Sequence, residues 1–85
     1  MPYEIIISPR AVKDLKKLPK DVLVRVISTL EQIQDDPAKS VYRLKDSPLY
    51  SVHVGEYRVI LDIIHQKLMI LVVRVGHRRN IYEKI

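Results

Sequence analysis

Residues 49–64, Leu49-Tyr50-Ser51-Val52-His53-Val54-Gly55-Glu56-Tyr57-Arg58-Val59-Ile60-Leu61-Asp62-Ile63-Ile64, decide the fold. Their side chains alternate with a period of two on both sides of Gly55-Glu56, and a glycine at the first position of a two-residue loop suits a type II′ hairpin turn. With those two residues as the loop, Val54 pairs with Tyr57, His53 with Arg58, Val52 with Val59 and Tyr50 with Leu61. Directly opposed residues share a face. One face therefore carries Tyr50, Val52, Val54, Tyr57, Val59, Leu61 and Ile63, and belongs in a core. The other carries Ser51, His53, Arg58, Ile60 and Asp62. A histidine beside an arginine on that second face does not serve packing, and the adjacent positive charge lowers the pKa of the imidazole.

Outward from this hairpin, Leu68 to Val75 is a long apolar run that reads as a further buried strand, ended by Gly76. The chain then leaves the sheet and presents His77, Arg78, Arg79 and Tyr82 in close succession, groups that handle phosphate well and that no core requires. His65-Gln66 is a poor turn signature and leaves this register open. A three-residue loop puts Arg74 on the Arg58 face, and a two- or four-residue loop turns it toward the core; electrostatics favours the first. On the other side, Val41 to Leu44 reads as a strand, followed by a turn at Lys45-Asp46-Ser47-Pro48. Upstream the period becomes helical. Residues 3–7 form a strand, and Ser8-Pro9 supplies an N-cap and a favoured first helical residue. Ala11, Val12, Leu15 and Leu18 keep helical spacing until Pro19, which stops one helix and opens the next. Val22, Leu23, Val26, Ile27, Leu30 and Ile33 then form an apolar stripe that Asp35-Asp36-Pro37 ends. The expectation is one α+β domain over residues 1–85. It has an antiparallel four- to five-stranded sheet, an N-terminal helical hairpin packed on one face, and a short C-terminal helical turn.

The chain has 85 residues, 47% apolar and 29% charged, the profile of one soluble globular domain. It lacks cysteine, which removes disulfides and Cys-based zinc sites and is compatible with a cytoplasmic location. Met1-Pro2-Tyr3-Glu4 carries no export signal, and no apolar run reaches the ~18 residues of a membrane span. The net charge is +5. Residues 1–40 hold seven basic and six acidic groups, residues 41–85 eight basic and four acidic, so the excess falls on the second half. Charge alone leaves two readings open, a polyanionic partner such as nucleic acid or a lysine-rich solvated surface.

Three stretches together, Arg43-Leu44-Lys45-Asp46-Ser47-Pro48-Leu49-Tyr50, Gly55-Glu56-Tyr57-Arg58-Val59-Ile60, and Val75-Gly76-His77-Arg78 followed by Tyr82, carry a resemblance. In their order and spacing the chain resembles the RelE/ParE superfamily of small toxins from toxin–antitoxin pairs, over essentially its whole length. The resemblance implies one of two activities. RelE-like members cut messenger RNA in the ribosomal decoding site, without metal, using basic residues and a C-terminal tyrosine. ParE-like members share the scaffold, lack that set and poison DNA gyrase. Arg58, Arg78 and Tyr82 match the RelE-type set, so the ribosome-dependent ribonuclease is the favoured expectation. The chain departs from the family's best-known pattern where Ser51 and His53 stand in place of lysines and where Asp46 replaces a glycine. Either activity implies a cognate RelB-like antitoxin; the first also implies the ribosome and mRNA as partners. Neither needs a membrane.

Cutting RNA with its own 2′-hydroxyl requires removing that proton, stabilising a phosphorane and protonating the leaving 5′-oxygen. Arginine's planar fork bonds two phosphate oxygens and stays charged, which assigns Arg58 and Arg78 to the phosphorane. Tyr82 either acts as a general base, if nearby arginines depress its pKa from about 10, or stacks on a base. His53 enters from its own chemistry, as an acid or base where relatives use lysine. Lys45, Arg79, Arg43 and Ser51 are expected along the RNA backbone, positioning it without doing chemistry. No histidine and carboxylate group has ligand spacing, so neither a metal nor another cofactor is expected.

Overall fold

The computed structural model describes residues 2–38 and 41–83. Strand β1 (Glu4–Ile7) leads into helices α1 (Pro9–Lys16) and α2 (Lys20–Asp35). Strands β2 (Tyr42–Arg43), β3 (Tyr50–Val54), β4 (Tyr57–Ile64) and β5 (Met69–His77) follow, and 3₁₀ turns occupy His65–Lys67 and Ile81–Glu83. The five strands form one sheet in the order β1-β5-β4-β3-β2. Gly55 has φ +59° and Glu56 is not among the positive-φ residues, as a type II′ turn needs. The β3–β4 register is the one that this turn dictates, with His53 opposite Arg58.

Ser8 caps α1 as its sequence demands: its hydroxyl accepts the Ala11 N–H at 3.1 Å, and Pro9 takes the first helical turn. Ala11 and Leu15 of α1, and Val26, Leu30 and Ile33 of α2, bury against Val52, Val54, Val59, Leu61, Ile63, Ile70, Val72 and Val75. Each such side chain contributes about 1.5–3 kcal/mol of burial. Val12 and Ile27 keep the helical spacing yet remain 37% and 39% exposed, at the rims of their stripes.

Two features depart from a simple meander. First, β1 runs parallel to β5, Ile5 opposite Ile70 and Ile7 opposite Val72. The helical hairpin carries the chain from one sheet edge to the other, and β5 returns beside β1 in the same direction. Second, β4 and β5 are joined by residues 65–68, with Leu68 in the left-handed region at φ +51°. That loop alone would turn Arg74 toward the core. A bulge intervenes: Leu61 faces Val72 while Ile60 faces Arg74, leaving Val73 as the extra residue and returning Arg74 to the Arg58 face.

The bulge begins where β1 ends, so beyond Val72 one edge of β5 has no neighbouring strand. Helix α1 closes that edge. The Ser8 hydroxyl donates to the Val73 carbonyl at 2.8 Å, and the Val75 N–H donates to Asp14 Oδ2 at 3.0 Å. Arg74 completes the closure with a forked pair to Asp14, Nε to Oδ2 at 2.9 Å and Nη2 to Oδ1 at 3.3 Å.

The sheet face away from the helices is also partly covered. Ile81 of the last 3₁₀ turn is fully buried and folds back over Gly76, where a Cβ would stand 3.0 Å from its Cδ1. Ile60, fully buried but outside the main core cluster, occupies the neighbouring position on that face. A small second core thus pins the C-terminal segment to the sheet. Ile81→Ala should cost about 2–5 kcal/mol, as for other buried Ile truncations. A chemical-denaturation midpoint unmoved by that change would show that this contact carries no stability.

Candidate functional site

The Gly55–Glu56 turn is where the basic groups meet. Arg58 folds back on it, Nη1 donating to the carbonyls of Gly55 at 3.3 Å and Tyr57 at 3.1 Å. Arg78 arrives from the far end of β5: its N–H donates to the Glu56 carbonyl at 2.8 Å, and its Nη2 lies 3.9 Å from the Glu56 carboxylate. The same carboxylate has His77 Nε2 at 3.5 Å. His77 Nδ1 accepts the Arg79 N–H at 3.2 Å, which leaves the ring proton on Nε2, facing Glu56. A third guanidinium comes from α2. A Cβ on Gly55 would lie 3.1 and 3.3 Å from Nη1 and Nη2 of Arg25, so that guanidinium lies over the turn, whose positive φ is what calls for glycine.

His53 sits beside this cluster, directly across the ladder from Arg58, and Arg58 in turn faces the side-chain-free Gly76. The Tyr42 ring lies against the imidazole, centroids 5.2 Å apart at 33°. Desolvation first and the Arg58 charge second hold the His53 pKa below its ordinary 6.5. The imidazole is therefore neutral at neutral pH and competent to accept a proton. The sequence-level expectation named only the arginine; the larger cause is loss of water.

The other expected residues divide. Tyr82 is 49% exposed and borders a hollow of about 390 Å³ with Leu44, Lys45, Ser47 and Leu49. That hollow adjoins the loop before β3, whereas the arginines gather at the turn after it. Among the described residues no hydrogen bond or ion pair joins Tyr82 to Arg58 or Arg78. Arg43 and Lys45 belong to the loop beside Tyr82, Arg43 Nε donating to the Ser47 carbonyl at 3.4 Å. Asp46 in that loop has φ +57°, a conformation that glycine adopts freely and Asp tolerates, which accounts for the family's glycine there. Arg79 is exposed.

Ser51 requires a correction. It was expected on the RNA, but it is 1% exposed, and among the described residues its hydroxyl has no hydrogen-bond partner. Alternation places Ser51 opposite Ile60, on the sheet face away from the helices, and there it is buried. Sequence reading missed Arg25, because its contact with the turn is tertiary. It treated Glu56 only as a turn residue; an acid flanked within the motif by Arg58 and followed later by His77-Arg78 was the available signal. Among the described residues no three His, Asp or Glu side chains could hold a metal ion.

Comparison with known proteins agrees with this arrangement of elements. A family model described as ParE toxin of type II toxin–antitoxin system, parDE, matches residues 5–82. The toxin RelG of Mycobacterium tuberculosis is 28% identical over 99% of this chain and 100% of its own length. The toxin–antitoxin complex RelBE2 of the same organism contains a chain that superposes with a TM-score of 0.82 at 26% identity, covering 92% of this chain and all of that one. An archaeal RelE–RelB complex from Pyrococcus horikoshii gives 0.81 at 26% identity, covering 92% of this chain and 97% of that one.

Proposed function

We propose that this chain, which belongs to the ParE toxin family of type II toxin–antitoxin systems, arrests translation as a metal-independent endoribonuclease that cuts mRNA in the ribosomal A site. The observation that carries the proposal is the meeting of Arg58 and Arg78 at one tight turn with a neutral imidazole alongside. Two guanidinium groups held within reach of one carboxylate-bearing turn form a fork for a single phosphate. A scissile phosphate takes the place of the Glu56 carboxylate as the partner of Arg78, and Arg58 exchanges carbonyl acceptors for phosphate oxygens. Charge-assisted bonds to a phosphorane are stronger than either present contact. His53 removes the 2′-hydroxyl proton, the oxygen attacks phosphorus, and the P–O5′ bond breaks as the 5′-oxygen takes a proton from solvent, giving a 2′,3′-cyclic phosphate. Tyr82 stacks on a base, while Lys45, Arg43 and Arg79 hold the backbone.

The test is to map mRNA 5′ ends after adding the protein to ribosomes stalled with an open A site. Cuts inside the A-site codon that are absent on naked RNA support the reading; intact mRNA overturns it. His53 as base also fixes a pH sign. The base must be deprotonated, so kcat/KM falls as pH drops through its lowered pKa, below 6.5. His53→Gln should remove that acid limb, and an unchanged limb in the variant would assign the base elsewhere.

A second reading has its own support, the ParE description of the matching family model: the same surface inhibits DNA gyrase and cuts nothing. Inhibited supercoiling without RNA scission selects it. Under either reading the partner is a cognate RelB-like antitoxin, as in the RelE–RelB complexes whose toxin chains this protein resembles. A ribosomal target places the protein in the cytoplasm; no helix among the described residues is long and apolar enough to cross a membrane.

A further inference from the structure

The open face of the sheet carries one large ring that neither the core nor the turn cluster uses. The chain has no Phe or Trp, so five tyrosines supply its large aromatic surface. Tyr3, Tyr50 and Tyr57 are partly buried and Tyr82 is 49% exposed, whereas Tyr42 is 62% exposed. Its place in the sheet is the cause. Strand β2 is an edge strand of two residues, and its Tyr42 pairs with Ser51. Opposed residues share a face, so Tyr42 projects on the side of His53 and Arg58, away from the core beneath the helices. The ring leans on the imidazole, centroids 5.2 Å apart at 33°, and among the described residues it makes no other contact of that kind and no side-chain hydrogen bond. Across β2, β3 and β4, strands about 4.8 Å apart, the open face therefore reads Tyr42, His53, Arg58.

We infer that Tyr42 is a base-stacking platform, a subsite that takes one unpaired nucleobase of a single-stranded RNA whose phosphate lies at Arg58 and Arg78. Proteins that hold single strands combine cations along the backbone with aromatic rings on which bases stack. The turn supplies the cations, and Tyr42 supplies the ring beside them. The order of the three residues is also the order of a nucleotide: base on Tyr42, sugar over His53, phosphate at Arg58. The stacked base is thus that of the nucleotide whose 2′-hydroxyl attacks, and stacking holds its sugar over the imidazole. Tyr82 borders the loop before β3 and meets a different base. A protein partner fits this ring less well. An aromatic anchor in a protein interface sits at the centre of a patch that excludes water. Here the apolar side chains of this face, Ile60 and Ile81, are fully buried, and the exposed neighbour is an imidazole. Only the identity of the strand as A-site mRNA, and the role of its 2′-hydroxyl, rest on the ribonuclease reading; the stacking itself does not.

The test titrates a short fluorescent 2′-O-methyl RNA, which has no free 2′-hydroxyl to attack with, against the full chain between about 50 and 300 mM salt. Tyr42→Ala should weaken binding about 5- to 100-fold, the share of one stacked base, and leave the slope of log K against log salt unchanged, because no phosphate contact is lost. Tyr42→Phe keeps the ring and should bind within about twofold of wild type. Arg58→Gln should instead lower the slope, by about 0.7 for one phosphate contact on a single strand. On the same strand made wholly abasic, wild type and Tyr42→Ala should bind alike. Equal affinities of wild type and Tyr42→Ala for the intact strand, an equal loss on the abasic strand, a lowered slope in Tyr42→Ala, or no binding by wild type would each overturn the proposal. A Tyr42→Ala defect seen only in antitoxin capture would do the same and give the ring to a protein partner. A protein whose binding depends on Tyr42 as expected but which cuts no mRNA loses the ribonuclease reading and keeps the platform; one that cuts mRNA while Tyr42→Ala binds unaltered does the reverse.

Discussion

Arg78→Ala should cut mRNA on the ribosome about 10²–10³-fold more slowly than wild type while melting at the same temperature. The rate effect follows from removing one charged donor aimed at developing charge, worth about 3–4 kcal/mol in the transition state. The unchanged fold follows from its surroundings. The Arg78 side chain is 51% exposed, and its only ion pair among the described residues is a 3.9 Å approach to a Glu56 side chain that is itself 68% exposed, a kind of pair that adds little. The anchoring contact, the Arg78 N–H to the Glu56 carbonyl, is made by backbone and survives the substitution. Single-turnover cutting with excess protein separates the two effects: a defect confined to KM would make Arg78 a positioning residue, and undiminished cutting would remove it from the site.

The largest expected stability effect lies elsewhere, at Asp14→Ala. This carboxylate serves Arg74 twice and the Val75 N–H once, with both side chains of the pair largely buried. Removing one partner of a buried pair costs about 3–5 kcal/mol, because the remaining charge stays desolvated. Here an unpaired strand N–H is added to that loss. Against a typical total of about 5–15 kcal/mol, a large fraction of the fold's stability would go. Asp14→Asn, which keeps an acceptor for Val75 but offers Arg74 no charge, should fall between. Urea midpoints for the two variants decide it: a loss under about 1 kcal/mol in Asp14→Ala would mean that the edge of β5 is held by packing alone.

These two residues also mark what the sequence discloses. The hairpin at residues 49–64 was legible because its register rests on local rules, a glycine turn and strict alternation, and the structure pairs Val54 with Tyr57 and Tyr50 with Leu61 accordingly. The His53–Arg58 neighbourhood followed from the same register. Arg74 was not legible. Its direction depends on a four-residue loop and a bulge whose shifts oppose each other, and its partner Asp14 lies sixty positions away. Ser51 was misread for a related reason: alternation tells which face a side chain takes but not whether that position is buried. The family resemblance placed Arg58, Arg78 and Tyr82 in one set; the geometry brings the first two to one turn, and Tyr82 borders the hollow beside the Lys45 loop.

The parallel pairing of β1 with β5 bears on how the molecule comes into being. Strand β1, Glu4–Ile7, has no sheet partner until Met69–Val72 has also emerged. The pairing closes the longest loop the chain contains, a slow event compared with forming the helical hairpin or the β3–β4 turn. Arg78 and Ile81 lie beyond even that partner. A nascent chain thus acquires its helices early and its cationic cluster only after β5 has emerged. That interval gives an antitoxin made alongside it a chance to bind before the cationic surface is complete.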